Sequence, residues 1–180
     1  MNCVNCGAPM RIVVDKMYFS CEYCGAVHYP AETPDGVRSL GQPSYIKCSL
    51  CKEPLSYAAI EDIPVRYCEK CRGILIPVSL FVPAIQKRRR KLNHRPLPHP
   101  SLNQRELERR IACPQCGRTM DTHPYSGPGN IVIDNCPVCR VNWLDYQEFW
   151  RIVTSPERTY QDDDPFAWIR PDEEHPKDDL

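Results

Sequence analysis

The sequence predicts a small β protein that is stabilised by bound metal rather than by one large hydrophobic core. Two observations predict it: the 180 residues include 12 cysteines, all in Cys-x-x-Cys pairs, and the apolar content is low for this length. The 16 Phe, Trp and Tyr residues, the 19 prolines and a mean hydropathy of −0.50 leave too little apolar mass for one continuous core. We therefore expect several short units, each held together by its cysteines.

The cysteines form six pairs of identical spacing, with none left over. Taken two pairs at a time, the inner gaps are 14, 16 and 19 residues, close to the range of about 15–20 found in four-thiolate zinc sites. Two residues between thiolates let a tight turn direct both sulfurs at one ion, and two such turns complete a tetrahedron. The sequence predicts three Zn²⁺ per chain, bound by Cys3, Cys6, Cys21 and Cys24; by Cys48, Cys51, Cys68 and Cys71; and by Cys113, Cys116, Cys136 and Cys139.

Two alternatives to zinc stay open at this point. Iron occupies the same four-thiolate set in rubredoxin-like redox sites, and oxidised pairs would form disulfides. No basic and then apolar leader precedes Cys3, so we expect a cytoplasmic protein, and disulfides are uncommon in that reducing compartment. No apolar run approaches the roughly 18 residues that a membrane helix needs, so we expect no membrane contact.

Each gap between cysteine pairs carries the pattern of a β-hairpin, in which two β-rich arms flank polar turn residues. Units of under about 40 residues usually need metals or disulfides to fold, and structural zinc contributes on the order of 10–16 kcal/mol of apparent binding free energy. We therefore predict three zinc ribbons, each a hairpin with two cysteine turns. The arms are 10–14 and 17–19 in the first unit, 55–60 and 63–67 in the second, and 120–125 and 131–133 in the third.

The composition between the cysteine pairs predicts how the units are joined. Glycine and proline in the segment before Cys48 are typical of an exposed linker, and Ser79 is a candidate N-cap for a helix. The predicted order is a first ribbon (1–30), a linker (31–44), a second ribbon (45–80), a basic helix with a Pro-rich break and a short helix (81–112), a third ribbon with a C-terminal helix (113–154), and an acidic, disordered tail (155–180).

The third unit continues past its last cysteine as Cys136-Pro137-Val138-Cys139-Arg140-Val141-Asn142-Trp143-Leu144-Asp145-Tyr146-Gln147-Glu148. This motif resembles the bacterial zinc ribbons of the transcription factor IIB type, which read Cys-Pro-x-Cys-x-Gly-x-Trp-Leu-Asp-x-x-Glu; Val141 stands where that family usually has Gly. The resemblance is specific over 113–153 and weaker over 48–85, while 3–25 matches only a generic four-cysteine ribbon. It implies a ribbon fold and contact with nucleic acid or the transcription machinery.

The Asp-x-x-Glu of this motif also has a local explanation. Asp145 is expected to cap a helix while Glu148, three residues later, accepts a hydrogen bond from the cap amide. The helix would then bury Tyr146, Phe149 and Trp150 together with Val153. A pair of catalytic carboxylates is the alternative, but a ribbon of this size seldom encloses a catalytic pocket.

Neutral net charge hides a strong asymmetry. Residues 81–112 hold nine Lys and Arg against two Asp and Glu, a net charge of +7, and residues 155–180 hold three against nine, a net charge of −6. The run Lys87-Arg88-Arg89-Arg90-Lys91 indicates contact with nucleic acid through phosphates. A solvated helix face or a docking surface for an acidic partner would give the same pattern. The acidic tail contains an apolar island, and 161–171 is a candidate docking peptide for a protein partner or for the basic helix itself.

These observations favour a non-enzymatic, zinc-binding adaptor that contacts nucleic acid or a protein of the transcription or translation machinery. The alternatives are an iron-containing, rubredoxin-like redox protein and a scaffold that binds only proteins. A catalytic zinc would need a site with an open position, whereas a site of four thiolates is closed. The five histidines lie without metal-ligand spacing, so no site is assigned to them.

Overall fold

The computed structural model describes residues 1–92, 97–98 and 100–156. The protein is small and β-rich, with three four-cysteine clusters and a few short helices. The strands are β1 (Arg11–Val13), β2 (Tyr18–Ser20), β3 (Val27–His28), β4 (Val37–Lys47), β5 (Pro54–Ile60), β6 (Ile63–Tyr67), β7 (Ile74–Pro77), β8 (Asp121–Pro124), β9 (Val132–Cys136) and β10 (Val141–Leu144). The helices are α1 (Val78–Lys91), α2 (Gln104–Glu108) and α3 (Glu148–Thr154), with a 3₁₀ turn at Val14–Lys16.

The described strands form two antiparallel sheets. The first, β1-β2-β3, contains the first cysteine unit, and the second has seven strands in the order β4-β5-β6-β7-β10-β9-β8. The hairpins β1/β2, β5/β6 and β8/β9 lie where the sequence places polar turns between β-rich arms. The second and third cysteine units therefore share one continuous sheet, although the sequence predicts separate units joined by linkers.

The segment expected to be a linker, 31–44, instead leads into and forms much of the edge strand β4. Val37, Leu40 and Ile46 of this strand are buried, and Val37 pairs with Ile60 of β5. The pairing is irregular between residues 39 and 47, around Gly41 and Pro43. Glycine and proline are tolerated at bulged sheet edges, so this composition marks an irregular strand here and not an exposed connection.

The seven-stranded sheet is joined at the pairing of β7 with β10, and this seam is close to twofold symmetric. Leu75 pairs with Trp143, and each lies four residues after the last cysteine of its unit. Because the strands are antiparallel and the two equivalent residues face each other, the local axis passes through this pair. The two units are thus related like the halves of a symmetric dimer within one chain.

The side chains that pack on the two sides of this axis differ in size. Trp143 is fully buried, and a Cβ added at Gly73 would lie within 3.0 Å of three carbons of its ring. The position equivalent to Gly73 in the third unit is Val141, which belongs to the same buried cluster as Leu75. On one side of the axis the large Trp143 ring lies against Gly73, and on the other side the smaller Leu75 lies in the same cluster as Val141. This difference in volume accounts for Val141 in the motif of the third unit.

Helices α1 and α3 pack on each other and cover one face of this sheet at the seam. Helix α1 begins at Val78, one residue before the expected cap Ser79. Helix α3 begins at Glu148, and Phe149, Ile152 and Val153 are buried. The expectation that Tyr146 belongs to the buried helical face is wrong, because it precedes the helix and is 43% exposed beneath the guanidinium of Arg72.

No helix among the described residues is long and apolar enough to span a bilayer. Part of the predicted Pro-rich break (93–96 and 99) lies outside the described residues. The same is true of the acidic tail after Pro156, including the candidate docking peptide 161–171.

We expect Gly73→Ala to destabilise the seven-stranded sheet, because the new methyl group would overlap the buried ring of Trp143. Overpacking of this kind costs about 1–3 kcal/mol of unfolding free energy, measurable by denaturant titration of the metal-loaded protein. In a Trp143→Phe background the same change should cost clearly less, since the smaller ring vacates the space. Equal costs in both backgrounds would contradict the proposed contact.

Candidate metal centres

All six Cys-x-x-Cys segments adopt the same turn. In each, the residue that follows the second cysteine has a positive φ, and its N–H donates to the carbonyl oxygen of the first cysteine. Glycine accepts that conformation without cost, whereas Lys and Arg adopt it at a small cost that the surrounding contacts offset. The residues at this position are Gly7, Gly25, Lys52, Arg72, Gly117 and Arg140.

These turns bring the twelve cysteines together in three groups of four. Within each group the Sγ atoms all lie within 4.8 Å of one another. The Sγ atoms of Cys3 and Cys24 are 3.6 Å apart, those of Cys48 and Cys71 are 3.6 Å apart, and those of Cys116 and Cys136 are 3.7 Å apart. A tetrahedral ion with metal–sulfur bonds of roughly 2.3 Å needs sulfur–sulfur edges of about 3.8 Å, so the groups could hold metal ions.

These separations do not correspond to disulfide bonds. A disulfide joins two sulfurs at about 2.0 Å, well below the separations within the three groups. All twelve thiols are free in the structure. The donor set consists of sulfur alone, which suits Zn²⁺ and also the iron of rubredoxin-like sites.

The three centres differ in their exposure to solvent. The first cysteine of every pair is buried, while the second is more exposed. At the first centre both second cysteines, Cys6 and Cys24, are exposed; at the second centre Cys51 and Cys71 are only partly so. Sulfur atoms at the second and third centres also accept backbone N–H groups, from Cys51 to Cys48 at 3.3 Å and from Cys139 to Cys136 at 3.4 Å. The second centre is therefore the most shielded.

Apolar side chains close the sheet side of the second and third centres. Leu55 and Met120, each four residues after a second cysteine, are fully buried in one cluster with the cysteines of both centres. Trp143 and Leu75 of the seam lie in the same cluster. The two centres therefore share one hydrophobic core. Met10 at the equivalent position of the first unit is only partly buried and packs with Phe19 and Leu40.

A partly buried polar network lies in the third unit. The guanidinium of Arg109 donates to Asp145 at 2.5 Å and to Asp134 at 2.7 Å, and Thr122 donates to Asp134. The side chain of Asp145 also accepts the indole N–H of Trp143 at 2.9 Å. The network ties the segment before Cys113 to strands β9 and β10.

The two carboxylates expected to cap the last helix have different roles in the structure. Glu148 accepts the backbone N–H of Asp145 at 2.6 Å, which is the contact expected of it. The Asp145 side chain does not cap, because Arg109 and Trp143 occupy its oxygens, and Gln147 takes the N-cap position. Sequence reasoning missed Arg109 and Asp134; the signal for Asp134 was a charged residue directly after the apolar run 131–133.

The basic run 87–91 is largely committed to contacts within the protein. Lys87 bonds to Asp62 at 2.6 Å, and Arg88 lies against Glu61 and Glu32. Lys91 also pairs with Glu61. Arg89 donates to the carbonyl oxygens of Ile152 and Ser155 at the end of α3, which holds the two helices together. Arg90 is the one member of the run without a hydrogen bond or ion pair to the described part of the chain.

These pairs are reflected in the pKa values of the carboxylates. Burial alone would raise the pKa of Glu61, but hydrogen bonds from Lys91 and Arg88 outweigh it and hold the pKa below its usual range. A hydrogen bond from Lys87 lowers the pKa of Asp62. The basic run therefore stabilises the fold by neutralising the β5/β6 turn, a role that the sequence pattern did not indicate.

Comparison with protein-family models, with curated proteins and with solved structures found no match to this chain. The motif shared with transcription factor IIB-type ribbons therefore stays a resemblance carried by residues 113–153.

We expect loss of the third centre to unfold the second unit as well, because β7 and β10 form one sheet over one core. In Cys136→Ser, amides of β5–β7 should lose hydrogen-exchange protection together with those of β8–β10, while those of β1–β3 keep it. Cys21→Ser is the matched control, and it should affect only β1–β3. Retained protection in β5–β7 of Cys136→Ser would show that the second and third units fold independently.

Glu148 makes stability depend on pH. Burial raises its pKa to about 8, and the carboxylates of Asp145 and Glu106 act in the same direction, while its hydrogen bond with the Asp145 amide opposes them. In the unfolded chain the pKa is about 4.3. The folded state binds the extra proton between these values, so the unfolding free energy should fall as pH rises from about 4.5 to about 8.

We expect Glu148→Gln to remove this dependence. Between pH 6 and pH 8 the wild-type protein should lose roughly 2 kcal/mol relative to the variant, measured by denaturant unfolding with metal saturating. Glu108→Gln, at an exposed position of α2, should parallel the wild type. A constant difference between wild type and Glu148→Gln across this range would contradict the raised pKa.

Proposed function

We propose that the chain is a non-enzymatic adaptor built from three zinc ribbons, whose surfaces bind a component of the transcription or translation machinery or its nucleic acid. The observation that carries the proposal is the grouping of all twelve cysteines into three closed sets of four sulfurs. Each set has the separations that a tetrahedral structural ion requires.

Zinc is supported by the energetics of the units. Each hairpin has arms of only a few residues, and the first sheet buries few side chains besides its cysteines, Met17 and Phe19. Structural zinc in sites of this composition provides folding free energy directly. Iron in a rubredoxin-like site is the alternative with the same ligands, and it would make the protein an electron carrier.

We propose that the protein is not an enzyme because of the chemistry of its metal ligands. Catalytic zinc sites keep a position open for water or substrate, whereas four thiolates fill the coordination sphere. Two carboxylates of the third unit, Asp134 and Asp145, are also committed, because both accept from Arg109. A committed carboxylate is a poor candidate for an acid or base in a reaction.

We expect the purified full-length protein to contain about three zinc ions per chain, as measured by elemental analysis, and to lack the visible thiolate-to-iron absorption of rubredoxin-like sites. Cys21→Ser should retain about two zinc ions. Cys136→Ser should retain about one, because the second and third units share a sheet. Predominant iron would overturn the adaptor in favour of the redox protein.

The class of partner is tested by capture from cytosol. Tagged protein should retain specific partners, and treatment with nuclease before capture separates the two versions of the proposal. Partners lost after nuclease indicate binding through nucleic acid, and partners that persist indicate direct protein contact. Cys136→Ser, with its shared sheet disrupted, should capture neither.

A further inference from the structure

An open cleft of about 540 Å³ lies between the first unit, the β4–β6 end of the larger sheet and the C-terminal half of α1. Cavities of roughly 300–1,000 Å³ are typical of small-ligand sites, and this one has room for one nucleotide. Its lining combines side chains that lie far apart in the sequence. Four are cationic, two are acidic and one is aromatic.

Two of the cations lack an ion-pair partner in the described part of the chain. Arg38 projects from β4, and Arg90 lies on the exposed side of α1. The guanidinium of Arg38 lies over the ring of Tyr29, whose centroid is 5.6 Å away. Two arginines from different elements line this open cleft without an ion pair to the described residues, and together they form an attractive site for an anion.

The other two cations, Lys87 and Lys91, pair with Asp62 and Glu61. The side chain of Asp62 is 71% exposed, so its attraction for Lys87 is screened by solvent and is readily exchanged for a phosphate. Counting all six charged residues of the lining, the cleft carries a net charge of +2. Nearby, Gly36 lets the Arg88 guanidinium of α1 pack against its backbone, since a Cβ there would lie within 3.1 Å of that guanidinium.

Tyr29 adds a feature that a simple basic patch lacks. The residue is 54% exposed, and the ring of Tyr18 packs edge-on against its ring at 5.7 Å between centroids. An exposed, supported aromatic ring beside one arginine, in a cleft that a second arginine also lines, is the arrangement on which an unpaired base stacks while its phosphates contact the cations. Tyr29 lies 58 residues before Lys87 in the sequence, and only the fold brings it to the same cleft.

We infer that this cleft binds single-stranded nucleic acid, with one base stacked on Tyr29 and the flanking phosphates on Arg38 and Arg90. The inference rests on the adaptor function proposed above and specifies its partner. An acidic peptide would satisfy the arginines but would leave the tyrosine ring unused. A duplex would expose phosphates but no unpaired base face.

The test is fluorescence anisotropy of the full-length, zinc-loaded protein with labelled 12-nucleotide oligo(U) and oligo(dT) at low salt. Tyr29→Ala should weaken binding about tenfold or more, since stacking contributes about 1–3 kcal/mol per base. Tyr29→Phe keeps the ring and should retain affinity. Arg38→Ala and Arg90→Ala should each weaken binding and reduce the slope of log affinity against log salt by about 0.7.

Arg118→Ala removes the same charge at an exposed position of the third unit, outside the cleft, and should leave the affinity within about twofold. Equal affinities for oligo(U) and oligo(dT) support recognition through base and phosphate alone. A preference for one of them indicates whether the natural ligand is RNA or DNA. Three outcomes overturn the inference: no binding at low salt, binding that Tyr29→Ala leaves unchanged, or equal competition by a 12-residue poly-Glu peptide. Zinc content is measured on the same samples, so loss of binding with three zinc ions retained rejects the cleft and not the adaptor.

Discussion

The fold depends on the convergence of four cysteine sulfurs at three places. Each convergence is set locally, by a turn in which the residue after the second cysteine adopts positive φ and its amide bonds to the first cysteine. That turn directs two sulfurs to one point, and the hairpin between two such turns brings the pairs together. A chain with little apolar mass can then fold, because the ligand sets supply the long-range connections that a larger core would otherwise provide.

On this foundation the second and third units are combined into one body by the pairing of β7 with β10. The second and third metal centres lie on the face that carries Leu75 and Trp143, and α1 and α3 cover the opposite face. Arg89 of α1 reinforces this joint through the last carbonyls of α3, while Arg109 ties the segment before Cys113 to Asp134 of β9. The first unit is attached more lightly, through Met17 and Phe19 against Leu40 and Ala59.

What the sequence could predict followed from spacing and local periodicity. The three groups of cysteines, the hairpin turns at 15–16 and 61–62, and a helix carrying the basic run all depend on residues close together in the chain. The pairing of β7 with β10 depends on residues nearly 70 positions apart, and no local pattern encodes it. The same applies to the ion pairs of Arg88 with Glu32 and Glu61, which required the β5/β6 turn and α1 to be placed in space. The segment 31–44 was misjudged because glycine and proline mark both linkers and bulged edge strands.

The unequal packing at the axis of the seam has a consequence for association between copies. An edge strand with unpaired amides can pair with the same strand of another molecule, and a nearly symmetric seam makes domain swapping geometrically accessible. If two third units paired in this way, Trp143 would face Trp143 of the other copy. Val141 would then stand at the position where Gly73 makes room for the ring, and the two would clash. A homotypic pair of second units would set Leu75 against Leu75 beside two glycines and leave space unfilled. The volumes are complementary only in the heterotypic arrangement, so steric selection at one residue pair favours pairing within the chain over pairing between copies.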